Sequence, residues 1–526
     1  MIQHNRFIIC VLSSFTLDFI DTVLHGVRNM SKEIKRHIGI ICSLLMYFVY
    51  VILLTIRTRL LIVGYGSEVN AVFQTSSQIF TYLILFESGM GAAYQFKLYE
   101  PVSNKDIQKI AGLFTGLKRS MQKIALRMTA VLFAIAVIYP FIMNRVSLSF
   151  MKAGLILFLL GLRFVIPYFV SIASKTLLNV YDYKYVVDNV DSLGYIAITS
   201  MEIFAISLLQ WSVYGVLLIG CIGNIVIGLV YVLFIRRFCA GVHKVESVPD
   251  FEPEGMTKDI LFHQITGLLN NNIDTIILSV VNIALVTPYH AYYSTMYYFQ
   301  QVINKINENY CTKIGMKIKQ GDQNLYSYFQ VLLAFHMATA ISAVVIFVCN
   351  INDFIYLWIG EEFLLSNCCV ILLALYLMLR MTINIIFIVR NGAGLYKESK
   401  WFSFREGIVN LALSLILVQF WGIEGILFAT VLATYMMLLP GNARLAYNKV
   451  MGKRNTLWAD YLVMIITAAC LILGFGGSTI GEMGSISWKI LLLRLIGQAL
   501  VSVVIATMVV AIVKWKYISQ YLIKGK

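Results

Sequence analysis

The groups in this sequence that can do chemistry are polar and ionisable side chains set inside long apolar runs. Arg57 and Arg59 lie near the far end of the first run. Glu87 stands among small residues in the second, FESGMGAAYQ (Phe86 to Gln95). Arg163 and Glu202 fall within two later runs. LLNNNIDTIIL (Leu268 to Leu278) places three consecutive amides, Asn270, Asn271 and Asn272, beside Asp274, and Arg380 sits in a run further on. A charge in a bilayer-spanning segment is costly, so it usually faces a partner charge or a water-filled cavity. Guanidinium groups there would attract phosphate oxygens, which Arg binds bidentately. Arg57, Arg59, Arg163, Arg380 and the three Asn residues are therefore candidates for a substrate cavity. Glu87, Asp274 and Glu202 are candidates for coupling or gating.

Each candidate also has a plainer reading. Arg57 and Arg59 would snorkel to the headgroups. At about 100° per residue they are about 200° apart and should not share a face of a straight helix. Arg163 and Glu202 fall at similar depths in neighbouring runs and would form a salt bridge, with Pro167 bending the helix one turn later. Asp274 and the amides would hydrogen-bond between helices. Glu87 would mark a tight helix contact, and Arg380 would reach the nearer membrane face. Arg57 lies roughly 28 Å along its run and Glu87 roughly 27 Å along the returning one, at about 1.5 Å per residue, so these two should not pair.

The elements that must position these groups are membrane helices. Of 526 residues, 59% are hydrophobic and 13% charged, against about 25% charged in soluble domains. The apolar runs are continuous rather than alternating, and most exceed the about 18 residues a helix needs to cross a bilayer. Fourteen spans are expected, at 38–62, 69–95, 125–143, 154–175, 190–209, 213–235, 259–281, 286–308, 328–349, 364–389, 402–420, 423–445, 459–475 and 489–513.

The net charge of +15 is distributed as such a protein requires. About 32 of the 42 Lys and Arg residues flank alternate loops and both termini, which by the positive-inside rule places both termini in the cytoplasm. The opposite loops hold Arg145, Lys152 and Lys489. No basic stripe sits on a soluble fold, so nucleic acid is not an expected partner. Loops at 350–363 and 474–488 leave no room for an external catalytic domain. The nine cysteines show neither CxxC spacing nor a Cys/His cluster, so no disulfide framework, metal site or cofactor is expected. The seven histidines form no motif. Residues 1–29 read as a disordered extension upstream of a second candidate start at Met30.

Two inner loops are long. Phe96–Ile124 reads as a basic amphipathic helix and Phe238–Lys258 as a linker between two halves. An ungapped match supports the halves: Lys175, Tyr181 and Asp191 fall in register with Arg390, Tyr396 and Glu406. These segments lie six spans apart, as in a parallel repeat.

The order of a basic N-terminus, a first span ending RTRLLIVGYG (Arg57 to Gly66) and then FESGMGAAYQFKLYEPVSNKDIQKI (Phe86 to Ile110) resembles the bacterial polysaccharide flippases, the O-antigen and teichoic-acid exporter group. These are similar to multidrug/toxin-extrusion transporters and to the peptidoglycan lipid flippase. The resemblance implies an all-α polytopic protein of two six-helix lobes, at 30–237 and 259–447, joined by the linker at 238–258. Two extra C-terminal helices and a basic tail occupy 448–526. It implies alternating access to an undecaprenyl-diphosphate-linked oligosaccharide, delivered from the inner to the outer leaflet of the bacterial cytoplasmic membrane for polysaccharide or O-antigen biosynthesis. A polysaccharide polymerase and other assembly proteins would be partners, with membrane lipids around the chain. By the same resemblance Arg57 and Arg59 would meet the diphosphate, and Glu87 and Asp274 match positions that are often acidic. Arg163, Arg380 and Glu202 are inferred from charge and depth alone. Any coupling would be to H+ or Na+. The alternatives are a cation-coupled drug or small-molecule exporter of the extrusion type, which would favour an acidic cavity, and a membrane enzyme of glycan assembly.

Overall fold

The computed structural model describes residues 32–87, 89–143, 148–181, 183–239, 241–242, 273–476 and 487–524. The extension at 1–29, most of the linker and the start of the seventh span, with Asn270, Asn271 and Asn272, lie outside the described residues. Every described element is helical, which is how a chain satisfies its backbone hydrogen bonds within hydrocarbon. Among the described residues ten segments are long and apolar enough to cross a membrane. The chain is a polytopic membrane protein.

The first half consists of α1 (Lys32–Tyr65), α2 (Ser67–Thr81), a 3-10 segment (Tyr82–Phe86), α3 (Met90–Asn104), α4 (Ile107–Ile142), α5 (Phe150–Val170), α6 (Ile172–Val180), α7 (Lys184–Ser207) and α8 (Val213–Phe238). The second half begins with α9 (273–281) and a 3-10 turn (Ile283–Leu285). It continues through α10 (Val286–Lys319), α11 (Leu325–Trp358), α12 (Asn367–Gly392) and α13 (Tyr396–Ala433). The last of these runs on through π-helical turns to Val450. Two further helices follow, α14 (Leu457–Phe475) and α15 (Trp488–Lys524).

Several expected boundaries are corrected. The second span is not one helix: it changes to 3-10 geometry at Tyr82, and Gly89 takes a left-handed conformation (φ 75°) before α3 begins. A residue with a Cβ resists that φ, so glycine makes the break possible. The stretch 96–124, expected as a basic amphipathic helix, is helical: α3 carries it to Asn104, and after a turn at Lys105 α4 carries it from Ile107 without a break into the third span, its first turn capped by Asp106, which accepts from Lys109 N (3.1 Å). The fourth span breaks at Ser171, beyond Pro167, which cannot donate to the helix ladder. The loop after the ninth span is shorter than expected, because α11 runs on to Trp358.

The segment Glu398–Val450 is helical over 53 residues. At about 1.5 Å per residue that is roughly 80 Å, more than twice the hydrocarbon thickness of about 30 Å. Gly422, at φ 56° and ψ −128°, divides it into the expected eleventh and twelfth spans.

Small residues let the first-half helices approach closely. A Cβ on Gly154 of α5 would lie 2.7 Å from Ala136 O of α4, and one on Gly194 of α7 would lie 2.5 Å from Ile227 of α8. Lipid offers no hydrophobic drive to helix association, so such close packing supplies the attraction. In the second half, α11 is the hub: α12, α14 and α15 all pack against it. The halves meet where α2 lies against α10 and the 283–285 turn.

Candidate functional site

Near its C-terminal end α1 presents Arg57, which is buried although it is a cation. Its Nη1 donates to Glu202 Oε2 of α7 at 3.0 Å, and Arg163 Nη1 of α5 donates to Glu202 Oε1 at 2.6 Å. One carboxylate therefore serves two guanidinium groups, and the cluster carries one uncompensated positive charge. Gly220 of α8 makes room for it, since a Cβ there would lie 2.9 Å from the Arg163 guanidinium. Asn224 holds the adjacent backbone by donating to Arg163 O (3.2 Å). The Arg57 guanidinium lies 4.9 Å from the centroid of Phe73, a cation–π arrangement. Arg57 Nε is buried without a hydrogen-bond partner.

Arg57 lines a cavity of about 120 Å³ between the halves. Asn70 and Gln74 of α2, Thr287, His290, Ser294 and Tyr298 of α10, and Trp358 of α11 also line it. The cavity's walls mix polar and apolar groups, Leu54 and Ile62 among the latter, around the Arg57 cation, and at the end where α1 terminates it is closed by contacts across the halves. Arg59 Nη1 donates to Leu357 O (2.9 Å) and Trp358 Nε1 donates to Thr55 O (2.8 Å). Asn70 Nδ2 donates to Thr287 Oγ1 (3.2 Å), which itself donates to Ser67 O (2.9 Å).

A second polar centre lies wholly in the other half. Asp274 of α9 is buried and accepts three hydrogen bonds from neutral groups. Tyr289 OH (3.1 Å) and Thr430 Oγ1 (3.0 Å) donate to its Oδ2, and Asn410 Nδ2 (3.4 Å) donates to its Oδ1. Ser414 Oγ and Thr430 Oγ1 both approach Asn410 Oδ1 at 3.2 Å. No Lys, Arg or His among the described residues forms an ion pair with Asp274. The break at Gly422 makes this centre possible, because it folds Thr430 back beside Asn410 of the same chain segment.

The remaining candidates are dispersed. Arg59 is exposed on the other face of α1, as its 200° offset from Arg57 requires. Glu87 does not meet Arg57; its Oε2 accepts from Tyr168 OH (3.1 Å), and a Cβ on Gly91 would press on its Oε1 at 2.8 Å. Arg380 of α12 lies 5.9 Å from the ring of Tyr376, with Tyr293, Tyr297 and Glu406 in its electrostatic surroundings and its Nε buried without a partner. The structure thus brings Arg57, Arg163 and Glu202 together and leaves Arg59, Glu87, Asp274 and Arg380 at separate places.

Sequence reasoning passed over Asn410 and Thr430, did not join Tyr289 to Asp274, and gave His290 of the cavity wall no role. Asn410 and Thr430 carry the same signal as the charges, polar groups inside apolar spans, but in a weaker form. Two ion pairs were also missed. Arg494 Nη1 pairs with Asp353 Oδ2 (2.6 Å), and Lys514 Nζ, nearly fully buried, pairs with Asp460 Oδ1 (2.7 Å).

No family model matches the sequence, and no curated protein matches it. Solved structures do. One, described as the lipid II flippase MurJ in an inward closed conformation, superposes with a TM-score of 0.66 over 91% of this chain and 100% of that one, at 15% identity. A multidrug resistance MATE family transporter of the MOP superfamily, inward-facing, gives 0.56 over 77% of this chain and 98% of that one, at 12% identity. A MATE structure in a bent conformation gives 0.50 over 82% and 96%, at 13% identity. The chain has the fold these transporters share.

Proposed function

We infer that this fold serves here as a flippase for an undecaprenyl-diphosphate-linked oligosaccharide, moved from the cytoplasmic to the outer leaflet of the bacterial cytoplasmic membrane for polysaccharide biosynthesis. The observation that carries the reading is the charge imbalance at Arg57, Glu202 and Arg163, beside a cavity between the halves. A diphosphate cannot cross about 30 Å of hydrocarbon unaided. A guanidinium in a low-dielectric setting, already freed from bulk water, offers it charge-assisted hydrogen bonds. Arg380 supplies a second cation, deeper in the other half, for an acidic part of the head group. The prenyl tail stays in the bilayer throughout.

Alternating access then requires the contacts at the α1 terminus to break. In this reading that end faces outward, both chain termini are cytoplasmic, and Arg59, Trp358, Asn70 and Thr287 form the outer closure. Asp274 is the coupling group. Its carboxylate, surrounded by Asn, Thr, Ser and Tyr oxygens, suits a proton or a hard monovalent cation such as Na+, which prefers oxygen ligands. Binding there would neutralise a buried charge and so bias one arrangement of α9, α10 and α13 over another. A polymerase and other assembly proteins would take the delivered lipid.

The test is reconstitution. Proteoliposomes containing the chain should move a labelled undecaprenyl-diphosphate-linked oligosaccharide to the opposite leaflet, and Arg57→Gln should abolish the movement. Unchanged leaflet distribution with the intact protein overturns the reading. The second reading, a cation-coupled small-molecule exporter, is favoured by the uncompensated carboxylate of Asp274. Efflux of cationic dyes by the same vesicles, without movement of the lipid, would establish it.

A further inference from the structure

The second half mirrors the charge pattern of the first with opposite sign. In the first half one carboxylate, Glu202, serves Arg57 and Arg163. In the second, Asp274 and Glu406 are both buried, and Arg380 lies in the electrostatic surroundings of Glu406. The three second-half groups are joined by two chains of contacts. Beyond Gly422 α13 returns antiparallel to itself, and polar rungs cross between its two arms. Thr430 Oγ1 meets Asn410 Oδ1 (3.2 Å) beside Asp274. One turn away, about 6 Å along the helix, Thr434 Oγ1 donates to Glu406 Oε1 (2.8 Å). The backbone changes to π geometry at Thr434, whose carbonyl accepts from Leu439 N five residues on; such turns are frequent at functional sites. The other chain is aromatic. Tyr289 donates to Asp274 and stacks on Tyr293 at 5.5 Å. Tyr293 hydrogen-bonds Tyr376, whose ring lies 5.9 Å from the Arg380 guanidinium. Arg380 Nε is buried without a partner.

We propose that Glu406 and Thr434 form a station for Na+, one turn from Asp274, and that Na+ there releases Arg380 to the anionic head group of the cargo. The inference rests on the reading above that Arg380 meets an acidic part of that head group. Arg380 and Na+ compete for one carboxylate. The phosphates of the cargo compete with that carboxylate for Arg380. Na+ and cargo therefore each free the group the other needs, and each strengthens the binding of the other by the same factor. In a low-dielectric interior these exchanges between charges carry large energies, so the competition is felt at both sites. The ligands suit Na+, because carboxylate, hydroxyl and amide oxygens line the rungs from Asn410 to Thr434 and hard cations prefer oxygen.

The full-length protein in detergent tests this, with labelled inorganic pyrophosphate as the probe for the head group. Na+ should tighten pyrophosphate binding several-fold over choline at equal ionic strength and pH, and pyrophosphate should tighten Na+ binding by the same factor. Glu406→Gln should bind pyrophosphate tightly with or without Na+, a gain that loss of a merely structural contact would not produce. Thr434→Val should need several-fold more Na+ for the same effect. Arg380→Gln should bind weakly and ignore Na+. Wild-type protein that binds no pyrophosphate, or binds it equally in Na+ and choline, overturns the inference without any variant having to fold. So does binding tightened by lower pH and not by Na+, or a folded Glu406→Gln protein that binds less than wild type in choline. If vesicles still move lipid-linked glycan, the cargo assignment survives each of these results. Wild-type vesicles that move none overturn the cargo assignment and this inference with it.

Discussion

Glu202 is the residue on which the first half's polar centre depends. It neutralises one of two guanidinium groups, the buried Arg57 and the partly buried Arg163, and breaking a buried pair by removing one partner costs about 3–5 kcal/mol. Glu202→Gln is therefore expected to lower the thermal unfolding midpoint in detergent markedly. Glu202→Gln combined with Arg163→Met should recover part of the loss, since it leaves one buried cation instead of two. Asp274→Asn should behave in the opposite way. The amide is nearly isosteric and neutral, and the Thr430 and Tyr289 hydroxyls can rotate to suit it, so the fold should persist within about 1 kcal/mol. Transport measured against an imposed proton or sodium gradient should lose its gradient dependence. The Arg163–Glu202 pair was legible as one of two readings from matching depth in adjacent spans. The partners of Asp274 were not, because a hydroxyl or amide in an apolar run has no net charge and its partner lies far away in sequence.

At the scale of elements, the apolar runs were read correctly as helices, since length and lack of alternation leave no other spanning structure for one chain. Their ends were not. Hydropathy reports where hydrocarbon begins, whereas a helix continues as long as its hydrogen-bond ladder is undisturbed. Hence α4 reaches back through Lys109, Lys118 and Arg119, and α11 runs past Asp353. The break after Tyr82 was likewise hidden, because Leu83 to Phe86 are as apolar as their surroundings. Gly422 is the element-level residue with the sharpest requirement. Its φ of 56° with ψ of −128° is a backbone state that a β-branched side chain resists, at a cost of order 1–3 kcal/mol. Gly422→Val should reduce the folded yield in membranes, and it should disturb Asp274 as well, because the turn sets Thr430 beside Asn410. A loss of gradient-dependent transport larger than the loss of folded protein would be the signature.

For the whole molecule, the division into halves followed from charge alternation and an ungapped match between two segments. In the structure Lys175 and Asp191 of the first segment form a salt bridge at 2.8 Å, with Tyr231 OH also donating to Asp191 (2.8 Å). Their counterparts Arg390 and Glu406 are held by different neighbours, Asn442 and Thr434. The seam between halves could not be read from sequence, because its hydrogen bonds join single residues well over 100 positions apart. It offers a direct test of alternating access. Cysteines replacing Asn70 and Thr287, whose side chains are in contact at 3.2 Å, should form a disulfide under oxidation. Lipid transport should stop when the bond forms and resume on reduction. Transport that continues with the bond intact would show that the halves need not part there.

The last two helices are fastened to α11 near both of its ends. Toward one end of α11 Asp353 holds Arg494 and Asn350 holds Gln498 (2.6 Å); toward the other Gln330 of α11 (2.8 Å), together with Asp460 of α14, grips Lys514 of α15. A rod pinned twice cannot pivot by itself, so α15 must ride as cargo on the second half. A dye attached near residue 520 would then act as a flag on that half, and its distance to a dye on α4 would report each swing of the machine without any label inside it.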